Sequence, residues 1–304
     1  MADGGRVTSK VKLRRVEVVI NPLSGSVGPT AEADMNALLE GFGLNANVVA
    51  AEHGELMNAL QEAVRRKPDL LIVLAGDGTA RAACELCGER GPLVAPLPGG
   101  TMNILPKALY GNRDWKTALT DTLTSGVIRQ VSGGEIDGHR FYVAAMIGWP
   151  TLWAKAREAA RERQLVKAFQ RARVAYRSAF IGRVRFSLDG RREEKAEALT
   201  LLCPLISKKM TKETALEVAA LNPTGLAEAL RVGARALIGD WFGDWRDDPA
   251  VDMGLCRRGR VRGRYGLPAL IDGEPVKLGP QAQIRFLPKA FRAFAPPSEI
   301  PATA

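Results

Sequence analysis

Residues 72–79 read Ile-Val-Leu-Ala-Gly-Asp-Gly-Thr, and this stretch decides the fold of the first part of the chain. An apolar run ends at Gly76, and a segment with helical spacing follows Thr79. A strand that turns sharply into a helix leaves free backbone N–H groups and the positive end of the helix dipole at the turn, where a phosphate is stabilised. Gly76 and Gly78 allow a ligand to approach the backbone closely. The stretch therefore predicts a phosphate-binding turn.

Asp77 places a carboxylate in this turn. A carboxylate among phosphates is repelled unless a cation lies between them. Asp77 therefore points to Mg²⁺, and to a nucleotide rather than a bare anion. A structural interpretation is also open, in which Asp77 or Thr79 only caps the next helix.

The segments around this stretch alternate short apolar runs with helical patterns, which favours βαβ units and a parallel sheet. The predicted strands are 16–20, 46–50, 69–74 and 93–95, and the predicted helices are 31–39, 55–66, 79–87, 102–109 and 114–125. Ligands of such sheets bind outside the carboxyl ends of the strands. We therefore expect the loops 21–25, 76–79 and 98–103 to converge at one edge.

Two of these loops add polar groups to the predicted site. The first contains Asn21, Ser24 and Gly25, which offer a hydroxyl and open N–H groups. The other contains Gly100, Thr101 and Asn103, of which the last two lie at a helix start. Each loop alone also fits an ordinary turn or a helix cap. Their joint occurrence in this order favours a binding site.

The second part of the chain has a different pattern. Asp-Gly pairs at 137–138, 189–190 and 272–273 each lie between extended runs, and Asp-Gly is the signal of a two-residue hairpin turn. This predicts a mainly antiparallel β domain over 128–290, after an α/β domain over 1–127. The last extended run, over 282–286, is predicted to close the β domain, and a proline-containing tail over 291–304 is expected to lie back on the first domain.

Residues 153–180 interrupt the β pattern with apolar side chains at near-helical spacing. The segment has eight basic residues and two acidic residues, so it is a basic amphipathic helix. It fits a helix at the surface of an anionic membrane. It equally fits a solvated helix whose apolar stripe packs on its own protein.

Composition limits the partners of the chain. The formal charge of +10 over 304 residues suits nucleic acid, an anionic membrane or a phosphorylated substrate. Aromatic residues make up only 6%, and no nucleic-acid motif occurs, so nucleic acid is not expected. No secretory signal and no apolar run of about 18 residues is evident, so we expect a cytoplasmic protein without a membrane span. The four cysteines fit buried thiols better than a metal site.

Neither the Gly-x-x-x-x-Gly-Lys-Ser/Thr loop nor the Gly-x-Gly-x-x-Gly loop is present, so another nucleotide fold is needed. Taken together, Asn-Pro-x-Ser-Gly at 21–25, Gly-Asp-Gly-Thr at 76–79, Pro-x-Gly-Thr-x-Asn at 98–103 and Asp-Gly-Glu at 272–274 resemble the diacylglycerol kinase catalytic family. The resemblance runs from about residue 16 to about residue 279. Gly-Asp-Gly-Thr alone is shared with NAD kinases and phosphofructokinases, whereas the late Asp-Gly-Glu separates the lipid kinases from them.

The resemblance implies an N-terminal doubly wound α/β nucleotide domain, a C-terminal antiparallel β-sandwich and an active site in the cleft between them. ATP is then expected at 21–25, at 76–79 and at Thr101. Asp272 or Glu274 is expected to accept the proton of the lipid hydroxyl. We favour Glu274, with Asp272 assisting or holding Mg²⁺ together with Asp77.

The chain departs from the family pattern at three places. The threonine that contacts ATP after the second strand in the family is not evident around 50–52, which reads Ala-Ala-Glu. Ala75 replaces the first glycine of Gly-Gly-Asp-Gly-Thr, which is tolerated unless the position needs a positive φ. A structural Mg²⁺ motif, Asp-Asp-Gly, aligns with 211–215, which reads Thr-Lys-Glu-Thr-Ala. We therefore predict no structural metal there.

The sequence thus predicts an ATP- and Mg²⁺-dependent lipid kinase that acts at an anionic membrane surface on diacylglycerol or a sphingoid base. One alternative is a kinase of the NAD kinase type with a soluble substrate. The other is a catalytically inactive protein that binds lipid or nucleotide.

Overall fold

The computed structural model describes residues 11–52, 54–148, 183–207, 214–222, 249, 251–264 and 266–297. Its contacts divide the chain into two units, Met1–Val131 with Lys289–Ala304 (unit 1) and Ser132–Pro288 (unit 2). The basic helix expected at 153–180 lies outside the described residues, as do the first three residues of 211–215. No helix in the described ranges is long and apolar enough to cross a membrane.

Unit 1 contains a parallel sheet and five helices. The strands are β1 (Val16–Ile20), β2 (Ala46–Ala50), β3 (Leu70–Ala75) and β4 (Leu93–Pro98). The helices are α1 (Ala31–Gly41), α2 (Leu56–Arg65), α3 (Asp77–Cys87), α4 (Ile104–Tyr110) and α5 (Trp115–Ser125). Every residue of β3 and β4 is buried, as expected for central strands with both faces covered.

The strand order in unit 1 is β2-β1-β3-β4, and each neighbouring pair is parallel. The chain moves outward from β1 to β2 and then crosses back to β3 on the other side of β1. Right-handed crossovers therefore place α1 on one face and α2 and α3 on the other, which is the doubly wound arrangement. The strand order reverses between β1 and β3, and ligands of such sheets bind at this switch point.

Unit 2 is built from antiparallel strands. Its elements are β6 (His139–Phe141), β7 (Ala144–Gly148), β8 (Val184–Leu188), β9 (Glu194–Ala196), β10 (Ala198–Leu202), β11 (Leu216–Leu221), β12 (Val251–Cys256), β13 (Arg258–Arg262), β14 (Leu267–Ile271) and β15 (Glu274–Leu278). Two further strands, β5 (Val127–Ile136) and β16 (Gln281–Ala295), carry the chain from one unit to the other.

The strands of unit 2 form two layers. One is a six-stranded sheet in the order β12-β11-β10-β7-β14-β15. In the other, β13 pairs with β8 and with the first part of β16, and β8 pairs with β9. Buried side chains from both layers, such as Ile147 and Leu201 on one and Phe186 and Val261 on the other, share one core. The predicted β-sandwich and the predicted α/β class are therefore confirmed.

The last strand corrects a sequence prediction. The extended run was expected only over 282–286, with a proline-containing tail after it. Instead, β16 continues through Pro288 to Ala295, and Ala293 pairs in parallel with Val94 of β4. Gln130 Nε2 also donates to the carbonyl of Phe291 at 2.9 Å. Backbone pairing with the buried strand β4 extends β16 beyond the position where the local sequence predicted that the strand ends.

All three Asp-Gly pairs form the predicted turns. Their φ angles are 46° and 83° at 137–138, 49° and 77° at 189–190, and 45° and 86° at 272–273. Positive φ at both central residues is the type I′ geometry, whose twist matches that of paired antiparallel strands.

Candidate active site

The three predicted loops meet in unit 1. The backbone N–H of Ser26, just after β1, donates to the carbonyl of Gly99 at 3.0 Å. The hydroxyl of Ser26 donates to the carbonyl of Gly100 at 2.7 Å. These two bonds join the loop after β1 to the loop after β4. Ser26 was not among the predicted site residues, although it lies one position beyond the quoted Asn-Pro-x-Ser-Gly run.

The loops after β3 and β4 pack backbone against backbone. A Cβ atom on Gly99 would lie 2.7 Å from the nitrogen of Ala75, and one on Gly100 would lie 2.9 Å from the Cα of Gly76. Both positions therefore require glycine. Ala75 ends β3 and is not among the residues with positive φ, which explains why alanine fits where the family pattern has glycine.

Predicted phosphate-binding residues are neighbours at this point. A Cβ on Gly25 would lie 3.2 Å from Thr101 Oγ1, and one on Gly76 would lie 3.6 Å from Ser24 Oγ. The two hydroxyls and the open backbone of the two glycines thus share one small region. Such a region supplies N–H and O–H groups that donate hydrogen bonds to phosphate oxygens.

Asp77 is the first residue of α3, and its carboxylate reaches across to the next loop. Oδ2 accepts from the backbone N–H of Asn103 at 2.8 Å, and Oδ1 accepts from that of Ile104 at 2.6 Å. The N-cap of α3 is Gly76, so neither Asp77 nor Thr79 is the N-cap residue of this helix. The Asp77 carboxylate instead accepts from the backbone N–H groups at the start of α4.

Asn103 stabilises the third loop through hydrogen bonds of its side-chain amide. It is buried, with 8% of its surface exposed, and it adopts a left-handed conformation with φ 51° and ψ 48°. Its Oδ1 accepts from the N–H of Gly100 at 2.7 Å, and its Nδ2 donates to the carbonyl of Gly100 at 2.9 Å. Both ends of the amide therefore hold the loop. A direct contact of Asn103 with the nucleotide stays a prediction.

A cavity of about 280 Å³ lies beside these loops. It is lined by Ser26, Pro98, Asn103, Lys107, Asn112, Arg113, Asp114 and Trp115. Lys107 and Arg113 bring positive charge to it, and Arg113 forms an ion pair with Asp121 at 2.9 Å. Sequence reasoning missed both cations, because their approach to the loops depends on the short α4 and on the turn into α5.

In unit 2, Asp272 occupies the turn between β14 and β15. Its carboxylate accepts from the backbone N–H groups of Tyr142, Val143 and Ala144 at 2.7, 3.0 and 2.9 Å. The residue is buried, with 6% of its surface exposed. The Asp272 side chain therefore holds the β6–β7 connection against the β14–β15 turn.

The other two Asp-Gly turns use their carboxylates in the same way. Asp189 accepts from the backbone N–H groups of Arg257 and Arg258, and Asp137 accepts from that of Gln283. A carboxylate that bonds the backbone of a neighbouring strand is thus a repeated structural device in unit 2. Asp272 differs from the other two in being buried and in accepting from three backbone N–H groups, whereas Asp189 accepts from two and Asp137 from one.

Glu274 begins β15 and lies opposite Ile271 in the ladder. It is partly exposed to solvent. Among the residues that the structure describes, no group of three or more His, Cys, Asp or Glu residues is placed to hold a metal ion. None of the four cysteines forms a disulfide, and all four are buried.

The geometry defines a class of protein, since glycine-rich loops at the carboxyl edge of a doubly wound parallel sheet are typical of nucleotide-binding folds. Residues 15–136 match the family model of the diacylglycerol kinase catalytic domain. This segment makes up less than half of the chain, and it is similar to the catalytic domain of that family.

Two relatives illustrate the match. The chain is 28% identical over 133 residues to a diacylglycerol kinase of Bacillus subtilis (strain 168), which covers 42% of this chain and 44% of that protein. The matched part is thus less than half the length of that relative. A crystal structure of a diacylglycerol kinase from Bacillus anthracis str. Sterne has a TM-score of 0.69 and 18% identity, covering 95% of this chain and 99% of that chain. The structural likeness confirms the two-domain fold.

Proposed function

We propose that the chain is a lipid kinase that transfers the γ-phosphoryl group of MgATP to the hydroxyl of a membrane lipid, either diacylglycerol or a sphingoid base. The observation that carries this proposal is the meeting of three glycine-bearing loops at the switch point of unit 1, within the segment that matches the family model. The protein would work at the cytoplasmic surface of an anionic membrane.

The loop residues support nucleotide binding directly. Phosphoryl transfer depends on cradled phosphates, a metal and an oriented hydroxyl more than on covalent chemistry by the protein. In this proposal the phosphates of ATP lie against 21–26, 76–79 and 99–103. Lys107 and Arg113 line the adjacent cavity and would offset the charge of the phosphates.

Asp77 fits a magnesium ion. Mg²⁺ in nucleotide sites is commonly held by one or two carboxylates, with phosphate oxygens and water completing its shell. Two backbone N–H groups at the start of α4 bond the Asp77 carboxylate and fix its position beside the three loops. Asp77 would hold the ion that neutralises charge developing on the transferred phosphoryl group.

Glu274 is assigned the role of proton acceptor. It is partly exposed, whereas the Asp272 carboxylate already accepts three backbone N–H bonds and has at most one lone-pair position left. In this proposal Glu274 takes the proton of the lipid hydroxyl as the oxygen bonds to phosphorus and ADP leaves. Asp272 is then a positioning residue that fixes the turn carrying Glu274, and its use as a Mg²⁺ ligand stays a prediction.

The test is Glu274→Gln, assayed with labelled ATP against a panel of lipids in mixed micelles. Removing a general base costs about 10²–10⁴ in rate, so kcat should fall by that factor while MgATP affinity stays unchanged. Glu194→Gln, at an exposed site in β9, is the matched control and should keep wild-type turnover. Wild-type kcat in Glu274→Gln would overturn the assignment.

A further inference from the structure

An arginine-rich surface covers one layer of unit 2. On β8, β13 and β16, apolar and charged residues alternate, and the apolar ones such as Phe186, Val261 and Ile284 face the core. The outward positions carry Arg185, Arg258, Arg260, Arg262 and Arg285, here named the arginine face. The alternation means that these side chains lie on one side of the layer.

The strand register brings like charges together on the arginine face. Arg258 lies directly opposite Arg285 on β16, and Arg262 lies directly opposite Arg185 on β8. Like charges in directly opposite positions destabilise a sheet. Fold stability therefore does not explain this arrangement, whereas binding of an anion does.

The counter-charges nearby do not neutralise the arginine face. Glu193 lies 3.7 Å from Arg185 and 3.9 Å from Arg262, and Glu135 lies 2.8 Å from Arg285. The three arginines remain 57%, 47% and 58% exposed, so these pairs are hydrated and weak. Within the described ranges, Arg258 and Arg260 have no carboxylate within ion-pair distance.

The shape and lining of the surface favour a lipid headgroup layer. A shallow hollow of about 460 Å³ lies on it, lined by Ser187, Gly190, Glu193, Arg258, Gly259, Arg260, Arg262 and Gln283. This lining contains three guanidinium groups against one carboxylate, together with a hydroxyl and an amide, but no aromatic ring. Proteins that bind single-stranded nucleic acid combine positive charge with aromatic stacking platforms, and the hollow offers only the charge.

We infer that the arginine face is a docking surface for the anionic headgroups of a lipid bilayer. The choice of a bilayer over other polyanions rests on the proposed function, because a lipid kinase must reach its substrate in a membrane. Planar guanidinium groups bind phosphate oxygens through paired N–H donors. Each basic residue near an anionic membrane strengthens binding roughly fivefold, an effect that salt screens.

The test is co-sedimentation of the full chain with vesicles of phosphatidylcholine, with and without phosphatidylglycerol. The variant Arg258→Gln/Arg260→Gln/Arg262→Gln neutralises the β13 arginines and leaves the buried side of the strand unchanged. Its affinity for the phosphatidylglycerol vesicles should fall on the order of 100-fold. The control Arg14→Gln/Arg65→Gln/Arg90→Gln changes the net charge equally at exposed sites of unit 1 and should bind like wild type.

Two outcomes would overturn the inference. One is wild-type vesicle binding by the β13 variant. The other is that the wild type binds duplex DNA more tightly than the vesicles and that the β13 variant loses affinity only for DNA. Phosphorylation of a lipid in neutral detergent micelles, where no anionic surface exists, should be equal in wild type and variant. If the wild type phosphorylates no lipid in these micelles, the proposed function is rejected. The vesicle-binding measurement still tests the arginine face in that case.

Discussion

Several polar side chains in this protein accept hydrogen bonds from backbone N–H groups of loops and strands. Asn103 is the clearest example, because a buried amide satisfies both the N–H and the carbonyl of Gly100 while its own backbone is left-handed. Asparagine tolerates this conformation better than most residues. The identity of residue 103 therefore matters for the loop even before any ligand is considered.

Asn103→Ala should lower the free energy of unfolding by about 2–3 kcal/mol, since it removes two buried hydrogen bonds and keeps the left-handed strain. Asn103→Gly should cost less, because glycine adopts this conformation without strain. Urea unfolding measures both. The exposed Asn58→Ala in α2 is the control and should change stability by at most about 0.5 kcal/mol. Equal stability of Asn103→Ala and wild type would contradict the described contacts.

Sequence reasoning predicted that the three loops converge, but it did not predict the bonds between them. The spacing of Gly76, Asp77 and Gly78 after an apolar run predicted where the turn lies. It did not predict that the Asp77 carboxylate bonds the start of α4, since that bond joins positions 26 and 27 residues apart. Capping rules describe local bonds, whereas this one depends on two loops meeting.

Short β-hairpins link local sequence to the packing of unit 2. In each of the three Asp-Gly turns, positive φ at two residues sets the turn and the aspartate then bonds a neighbouring strand. The turn type was predictable, because Asp-Gly between extended runs has few other structures. The bond to a neighbouring strand was not, because sequence does not show which strand lies alongside.

Asp272→Asn should destabilise the protein by about 2–3 kcal/mol, because an amide cannot accept all three backbone N–H bonds with the strength of a carboxylate. Asp137→Asn, at an exposed turn with one such bond, should cost less than about 1 kcal/mol, and it is the matched control. Chemical denaturation of both variants decides the comparison. Equal losses would show that burial and bond number at Asp272 do not matter.

Taken as a whole, the chain divides into two compact units, and the parts least visible in the sequence are those that join distant segments. The alternation of strands and helices predicted unit 1 closely, with β2 matching its predicted range of 46–50. The strand β16 was predicted at five residues and has fifteen, because its second part is held by pairing with β4. Non-local pairing of this kind has no local sequence signal.

Buried thiols in both units couple stability to alkaline pH. Burial raises the pKa of Cys87 and of Cys256 to about 12, from the ordinary thiol value of 9.0. Between these pH values the unfolded chain loses thiol protons that the native protein keeps, so the free energy of unfolding should fall as pH rises from 9 towards 12. Below pH 9 both states keep the protons and this contribution is constant.

Urea unfolding at about pH 8 and about pH 10.5 tests this coupling. Wild type should lose more stability between the two conditions than Cys87→Ala/Cys256→Ala, because the variant has two fewer titrating thiols. Comparing the change with pH removes the constant cost of the smaller side chains. An identical change in both proteins would show that the two thiols are not protected from ionisation.

The most direct test of the central claim follows the γ-phosphoryl group of ATP. Wild-type protein is incubated with γ-labelled ATP, Mg²⁺ and mixed micelles containing diacylglycerol or a sphingoid base, and the mixture is extracted with chloroform. We predict that label appears in the chloroform phase as a phosphorylated lipid and that chelation of Mg²⁺ abolishes it. Label confined to water-soluble products, or no transfer to any lipid, would contradict a lipid kinase built on these three loops.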